Sequence, residues 1–136
     1  MDNSEEQFQE LIANLAPRIN KALSQQNTVP LMGLLLSEEG DVEVLLWLPD
    51  DGSSLSDELN KFQGTLIEKA KELSSVAACM SYPDYASEAI VALLENNKNY
   101  CTKCTIPVVS DATPQLDLGQ MEVEDGFVFI FGEGGP

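Results

Sequence analysis

Apolar residues recur at every third or fourth position over residues 4–24, which is the spacing of one face of an α-helix. Ser4 and Gln7 stand at the start of this stretch with the spacing of a capping box, and two glutamates follow the serine. Pro17 lacks the amide hydrogen that a helix interior needs. We therefore predict a helix over 4–24 that Pro17 kinks or divides into two.

The same periodicity returns over residues 54–73, where the first serine and Asp57 have capping-box spacing and predict a second helix. A third stretch, 87–97, is rich in Ala, Leu and Glu, begins with a serine and ends with asparagines. This composition favours a short third helix. The adjacent Ile90 and Val91 leave a strand open as the alternative.

Shorter apolar runs predict strands. Residues 31–36 and 42–48 form a hairpin around the turn "SEEGD", and both runs are apolar on both faces. Because side chains alternate across a sheet, we expect this hairpin to be covered on both sides. Further strands are predicted over 76–80 and 102–109, where Pro107 indicates an edge position or a bulge.

The last part of the chain has the clearest local signal for a hairpin. Asp125 and Gly126 tolerate positive φ, which a two-residue type I′ turn requires. On one side of them, residues 121–124 alternate Met and Val with Glu, and on the other side, 127–131 alternate Phe with Val and Ile. We predict a hairpin here, preceded by a loop over 110–115.

The predicted order of elements is α-β-β-α-β-α-β-β-β within 136 residues, a length that suits one domain. We predict the α+β class: a single domain over 1–136, in which two to three helices pack on a mainly antiparallel sheet of about five to six strands. Residues 1–3 and 132–136 are expected to be frayed tails. Apolar strand surface that short helices leave uncovered also predicts a homodimer interface.

Charge is the most unusual property of the chain. Asp and Glu number 23 against 7 Lys and Arg, which gives a formal net charge of −16, and the basic residues are scattered. Such a chain repels nucleic-acid phosphates and anionic lipids, so we expect neither direct nucleic-acid binding nor membrane binding. A basic protein partner, or imitation of a nucleic acid, fits this charge, although acidity also simply keeps a protein in solution.

The acidic residues gather beside the two predicted hairpin turns and at the start of the second helix. Two of them share one face of the strand before the last turn, roughly 7 Å apart. Acidic turns and strand faces are also ordinary solvated surface. Our candidates for contact with a basic partner are Glu38, Glu39, Asp41, Glu43, Asp50, Asp51, Asp57, Glu58, Glu122, Glu124 and Asp125.

The pair Cys101 and Cys104 has Cys-x-x-Cys spacing, but it enters a predicted strand, where three-residue spacing places the two thiols on opposite faces. A redox pair places its first thiol at a helix N-terminus. A zinc site needs four ligands, and with Cys79 the chain offers three thiols and must add a carboxylate. We interpret all three as ordinary thiols and only weak metal candidates, and we expect no cofactor.

An odd number of cysteines, together with an N-terminus that lacks the features of a secretory signal, predicts a cytoplasmic protein. The chain contains no histidine, which removes the usual general base and the commonest nucleophile pairings. No catalytic motif is present, so we predict that the protein is not an enzyme and name no catalytic residue.

We therefore predict a small acidic protein that binds a basic protein partner, as an inhibitor, an immunity-type protein or a chaperone-like module. Two alternatives stay open. One is a thiol- or metal-dependent protein that uses the three cysteines, and the other is a structural homodimer subunit.

Overall fold

The computed structural model of the chain describes residues 4–25, 29–48, 52, 54–110, 114–127 and 129–131. Within these residues, two helices lie on opposite faces of one seven-stranded antiparallel sheet, so the predicted α+β class is confirmed. No helix in this part of the chain is both long and apolar enough to cross a membrane. The elements are α1 Ser4–Gln25, β1 Leu31–Leu36, β2 Val42–Trp47, α2 Leu55–Leu73, β3 Ala77–Asp84, β4 Ala89–Asn96, β5 Cys101–Ser110, β6 Pro114–Leu116 and β7 Glu122–Asp125.

The strand order is β2-β1-β3-β4-β5, and both β6 and β7 then pair with β5. β7 pairs with residues 102–105 of β5, and β6 pairs with residues 108–110. Pro107 lies between these two pairings, where a missing amide hydrogen interrupts neither ladder. The sequence predicts an edge position or a bulge at Pro107. The structure places it opposite a gap between two partner strands on one side of β5, while β5 pairs with β4 on the other side.

The alternation of side chains divides the sheet residues between two cores. The core on the α1 side contains Leu11, Leu15 and Ile19 of the helix. The core on the α2 side contains Phe62, Leu66 and Ala70. The central strands contribute to both, with Ile90, Ala92 and Leu94 on the α1 side and Val91 and Leu93 on the α2 side.

Helix α1 matches its prediction closely, but Pro17 does not divide it. Pro17 and Ala13, whose carbonyl loses its usual amide partner, are both exposed, so water can satisfy that carbonyl. Ser4 and Gln7 both accept hydrogen bonds from Asn96 Nδ2 at the end of β4. Near the other end of α1, Asn20 Oδ1 accepts from the amide of Leu116 at 2.8 Å. The helix is thus attached to the sheet by polar contacts at both ends of its apolar face.

The first hairpin is confirmed, with a turn closed by the Ser37 amide donating to the Asp41 carbonyl at 2.8 Å. Gly40 has a φ of 95° in this turn, which glycine adopts without strain. The prediction of cover on both sides holds for β1, which is buried along its whole length. It fails for β2, because β2 lies at the edge of the sheet.

The predicted third helix is wrong. Residues 89–96 form β4, which pairs with β3 and β5 and is buried at every position. Ala, Leu and Glu favour helices in isolation, but a strand between two others buries both of its faces and satisfies its backbone in two ladders. The alternative of a strand, which Ile90 and Val91 left open, is therefore confirmed.

The predicted final hairpin is also wrong. β7 pairs with β5, and Gly126 donates its amide hydrogen to the carbonyl of Cys101 at 3.2 Å. A Cβ atom at Gly126 would lie 2.8 Å from the backbone nitrogen of Thr102, so close approach to β5 accounts for this glycine. Residues 129–131 form no strand and instead cross the α2 face of the sheet.

Some predicted boundaries fall outside the described residues. The predicted loop over 110–115 contains strand β6 at its end, while residues 111–113 lie outside the described part of the chain. The predicted tails, 1–3 and 132–136, lie outside it as well.

Candidate functional site

A long apolar groove of about 650 Å³ separates α1 from β5 and β7 on the α1 face of the sheet. Phe8 and Ile12 form its helical wall, one turn apart. Met121 and Val123 form the opposite wall, on alternate positions before and within β7. The volume lies within the range of ligand pockets in proteins. The floor and ends are lined by Leu94, Tyr100, Thr102, Cys104 and Leu118.

The pairing of β5 with β7 positions the residues of one groove wall. Thr102 and Cys104 lie on the α1 face of β5, and the register pairs Cys104 with Val123 of β7. Val123 therefore projects to the same side as α1, and 61% of its surface is exposed. Tyr100 and Leu118 are exposed as well, so these three side chains form an exposed apolar patch in the groove.

Asn96 holds one end of the groove in place. Its side-chain oxygen accepts from the amides of Lys98 and Tyr100, at 3.0 and 3.1 Å, and so fixes the turn that carries Tyr100. Its amide nitrogen donates to Ser4 and Gln7 of α1. One buried amide thus connects the helical wall of the groove to the turn at its end.

The charge at the groove is negative. Glu5 is the charged residue among the described side chains that line it. Asp125 pairs with Thr102 and lies on the same face as Val123 two residues before it, so it is on the α1 side of β7, next to the residues that line the groove. No lysine or arginine belongs to the described lining.

The structure does not bring the predicted acidic residues together. Glu38, Glu39 and Asp41 are exposed in the turn between β1 and β2, and Glu43 is exposed on β2. β2 and β7 lie at opposite edges of the sheet, five strand spacings or roughly 24 Å apart. The acidic turn and the acids of β7 therefore belong to different surfaces.

The three acids of β7 also divide between faces. Glu122 and Glu124 pair with Thr105 and Lys103, on the α2 side, while Asp125 lies on the α1 side. Lys103 Nζ lies 3.7 Å from Glu124 Oε1, an exposed ion pair of little energy. Of the β7 acids, only Asp125 is placed to contact an occupant of the groove.

The prediction that Glu58 contacts a partner is wrong, because Glu58 is 1% exposed and cannot form part of an acidic surface. Its carboxylate accepts from the indole nitrogen of Trp47 at 2.6 Å and lies 3.7 Å from Lys61 Nζ. The reason is helical spacing: Glu58 stands one turn before Phe62 on the buried stripe of α2. Asp57 is exposed and donates its amide to Ser54, as predicted for the cap, whereas Asp50 and Asp51 lie outside the described residues.

The three thiols do not converge. Cys79 and Cys104 lie in the α1-side core, while Cys101 pairs with Glu95 and faces the α2 side. Burial raises the pKa of Cys79 and of Cys104, and for Cys79 the charge of Cys104 raises it further. Burial and then the Glu95 charge raise the pKa of Cys101. In the part of the chain that the structure describes, no three or more metal-binding side chains form a group that could hold an ion.

Glu95 is the buried carboxylate that the sequence did not single out. It lies in the middle of the sheet with no exposed surface, and it accepts hydrogen bonds from three consecutive amides. The distances to the amides of Phe129, Ile130 and Phe131 are 2.7, 2.6 and 3.0 Å. Gln63 of α2 donates to the carbonyl of Phe129 at 2.7 Å. These contacts hold residues 129–131 over the α2 face of β4 and β5.

The groove itself was not predicted, since its residues come from α1, β4, β5 and β7 and share no local motif. The alternation of Met121 and Val123 with glutamates was the only signal in the sequence. No protein-family model, curated protein or solved structure matches the chain. The geometry and charge of the groove are therefore the features from which a function can be inferred.

Proposed function

We propose that the chain is a non-catalytic binding protein that holds an amphipathic, basic segment of a partner protein in the groove between α1 and β7. The observation that carries this proposal is an apolar groove, edged by carboxylates, in a chain of net charge −16. An inhibitor, an immunity-type protein and a chaperone-like module would all use such a surface.

The apolar walls support a helical partner. Phe8, Ile12, Met121 and Val123 line the two long sides of the groove, which leaves a trough rather than a closed cavity. An amphipathic helix fills such a trough with side chains at positions i, i+3 or i+4, and i+7. Burial of these side chains supplies the affinity, since each apolar side chain removed from water contributes roughly 1.5–3 kcal/mol.

The charges support a basic flank on that helix. Glu5 and Asp125 stand beside the groove, and the whole chain carries an excess of sixteen negative charges. A field of this sign attracts cationic partners from a distance, and the attraction weakens as salt is added. The acidic turn of residues 37–41 contributes to the field but lies too far from the groove to contact the same short segment.

Two synthetic helical peptides test the proposal directly. They share one apolar leucine pattern, and their polar positions are lysine in one and glutamate in the other. We expect the lysine peptide to bind, with an affinity that falls as salt rises, and the glutamate peptide not to bind. Fluorescence anisotropy of labelled peptide measures both.

Paired variants locate the binding site. Val123→Asn should weaken binding of the lysine peptide about tenfold, roughly 1.4 kcal/mol, because it makes a groove wall polar without changing charge. Leu46→Asn is the matched control, since Leu46 is 62% exposed, close to the 61% of Val123, but lies at the other edge of the sheet. Equal loss in both variants, or equal binding of the two peptides, would contradict the proposal.

The alternatives remain predictions of lesser support. A thiol- or metal-dependent role receives no support from the divided cysteines, and a structural homodimer subunit stays a prediction. We also propose a cytoplasmic location, because all three cysteines are free thiols and free thiols persist in a reducing compartment.

A further inference from the structure

Strand β7 forms the edge of the sheet opposite to β2. Within the described part of the chain it pairs with β5 on one side, and no strand pairs with it on the other. All four residues of the strand are exposed. The unpaired edge of a strand presents backbone donors and acceptors that a further strand can use. β7 is therefore a surface at which the sheet can be extended.

The register of β7 identifies the backbone groups at this edge. Gly126 donates its amide hydrogen to the carbonyl of Cys101, so these two residues form a hydrogen-bonded pair of the ladder. Such pairs alternate along antiparallel strands, and every second residue before Gly126 therefore directs its backbone groups to β5. The amides and carbonyls of Val123 and Asp125 point away from β5, to the open edge.

The side chains of β7 are acidic on both faces of the sheet. Glu122 and Glu124 project on the α2 side, and Asp125 projects on the α1 side, as Val123 does. Lys103 of β5 lies 3.7 Å from Glu124, and no lysine or arginine follows Lys103 in the chain. The edge is therefore negative, and the segments just before and after β7 contain no cation that offsets its charge.

Other cations of the chain belong to different surfaces. Lys98, in the turn before β5, lines a pocket on the other side of α1 together with Glu6 and Glu10. Its charge is offset by the carboxylates of that pocket. Arg18 and Lys21 line a groove beside β2, at the opposite edge of the sheet.

These charges select the strand that fits the β7 edge. A second copy of β7 does not fit, because carboxylates would face carboxylates, and like charges on facing positions destabilise a strand pair. A strand that faces Glu122 and Glu124 with cations and Val123 with an apolar side chain does fit. On the inner side of β7, β5 already has this pattern, with Lys103 opposite Glu124 and a buried thiol side chain opposite Val123.

We propose that the outer edge of β7 takes an extended basic segment of a partner protein as an added strand. Main-chain hydrogen bonds to Val123 and Asp125 hold the segment, and its lysine or arginine side chains face Glu122 and Glu124. This edge is distinct from the groove between α1 and β7, so the proposal goes beyond the proposed function and does not depend on it.

Hydrogen exchange of the wild-type chain tests the added strand. The probe is a short peptide of alternating lysine and valine, and the outward amides of β2, at the opposite edge, are the control. We expect the peptide to slow exchange at the amides of Val123 and Asp125 at least about tenfold and to leave β2 unchanged, because the new ladder takes up these two hydrogens. Unchanged exchange at Val123 and Asp125, or equal slowing at β2, overturns the proposal. The helical lysine peptide that tests the groove should not slow these amides, so the two proposals fail separately.

Charge variants test which side chains face the added segment. Glu122→Gln should weaken binding of the alternating peptide about threefold, because it removes one facing charge pair. Glu43→Gln is the matched control, since it removes an exposed carboxylate on the α2 side of β2 and changes the net charge by the same amount. Fluorescence anisotropy of labelled peptide measures both. Equal weakening by the two variants would assign the binding to net charge alone and contradict the proposed pairing.

Discussion

Both faces of the sheet carry apolar side chains, but the two faces are covered to different extents. On the α2 face, residues 129–131 extend the cover of α2 across β4 and β5. On the α1 face, the described chain leaves the space between α1 and β7 as a groove. The groove therefore does not result from a greater supply of apolar residues. Within the part of the chain that the structure describes, it exists because a peptide segment covers the α2 face and none covers this part of the α1 face.

The covering segment on the α2 face is held by polar groups as well as apolar ones. Glu95 accepts three amide hydrogens and Gln63 donates to a carbonyl, while the Phe129 and Ile130 side chains are buried. A carboxylate in an apolar core is costly unless hydrogen bonds compensate it, and here the backbone of the covering segment provides them. Among the described residues, no such segment lies over the α1-face groove, which is the surface where we propose that a partner binds.

The largest expected effect is the difference in stability loss between a phenylalanine in the closed α2-side core and one on the open groove wall. Phe62 of α2 is fully buried against the sheet, whereas Phe8 is half-buried on the groove wall. We expect Phe62→Ala to lower the free energy of unfolding by about 4 kcal/mol, through lost burial and a cavity. Phe8→Ala should lower it by about 1 kcal/mol, because much of that ring already meets solvent. Urea unfolding followed by circular dichroism measures both, and similar losses would show that the groove is as closed as the α2 core.

The second effect concerns the anchor of the covering segment. We expect Glu95→Ala to lower the free energy of unfolding by about 3 kcal/mol, because it leaves buried amides of Phe129 and Ile130 without their acceptor. Hydrogen exchange at these amides should accelerate. Glu124→Ala is the control, an exposed carboxylate in a surface ion pair, with an expected change within about 0.5 kcal/mol. Unchanged exchange in Glu95→Ala would mean that apolar contacts alone hold the segment.

The third effect is smaller and tests how tightly α2 meets the sheet. A Cβ atom at Gly33 of β1 would clash with the side chain of Leu66 and lie 3.0 Å from Phe62 Cζ, both buried. Gly33→Ala should therefore cost about 2 kcal/mol of stability through overpacking. Gly64, on the exposed side of α2, has open space around it, so Gly64→Ala should add about 1 kcal/mol through helix propensity. If both changes stabilise, α2 packs on β1 less closely than the structure has it.

The smallest effect follows from the thiols. The pKa of Cys79 and of Cys104 is raised by burial above the ordinary value of 9.0, so above about pH 9 the unfolded chain loses protons that the folded chain retains. Stability is therefore complete below that pH and falls as pH rises, by up to roughly 1.4 kcal/mol per pH unit for each thiol. Denaturant unfolding between pH 8 and 10 measures the slope, and Cys79→Ala should reduce it, leaving the contribution of Cys104. A slope that Cys79→Ala leaves unchanged would assign the pH dependence to other groups.

Thiol labelling gives the same comparison by a different route. The half-buried Cys101 on the α2 side should react first with a thiol reagent in the folded protein. Cys79 and Cys104, both buried in the α1-side core, should react only as the chain opens. Labelling of Cys104 at the rate of Cys101 would show that the groove floor is open to solvent at its base.

Much of the architecture is encoded locally and was readable from the residues alone. The two long helices follow from their apolar periodicity and from the serine cap of α2, and the first hairpin follows from two apolar runs around a turn with Gly40. The acidity, the lack of histidine and the separation of Cys101 from Cys104 on a strand also need no tertiary information. Each of these properties depends on neighbours in sequence or on counts.

Only the tertiary structure decided the rest, because it depends on contacts between distant residues. The segment 89–96 has helical composition and became a strand because neighbours on both sides satisfied its backbone. β7 pairs with β5 and not with the segment that follows it. The amides of residues 129–131 are therefore free of a strand ladder and donate hydrogen bonds to Glu95. The same pairing placed Val123 on the α1 side. The packing of α2 on the sheet buried Glu58 beside Trp47. The hydrophobic pattern of the sequence indicates the local preference of each segment. The groove depends on which distant segments contact each other, and the free energy of the whole chain determines those contacts.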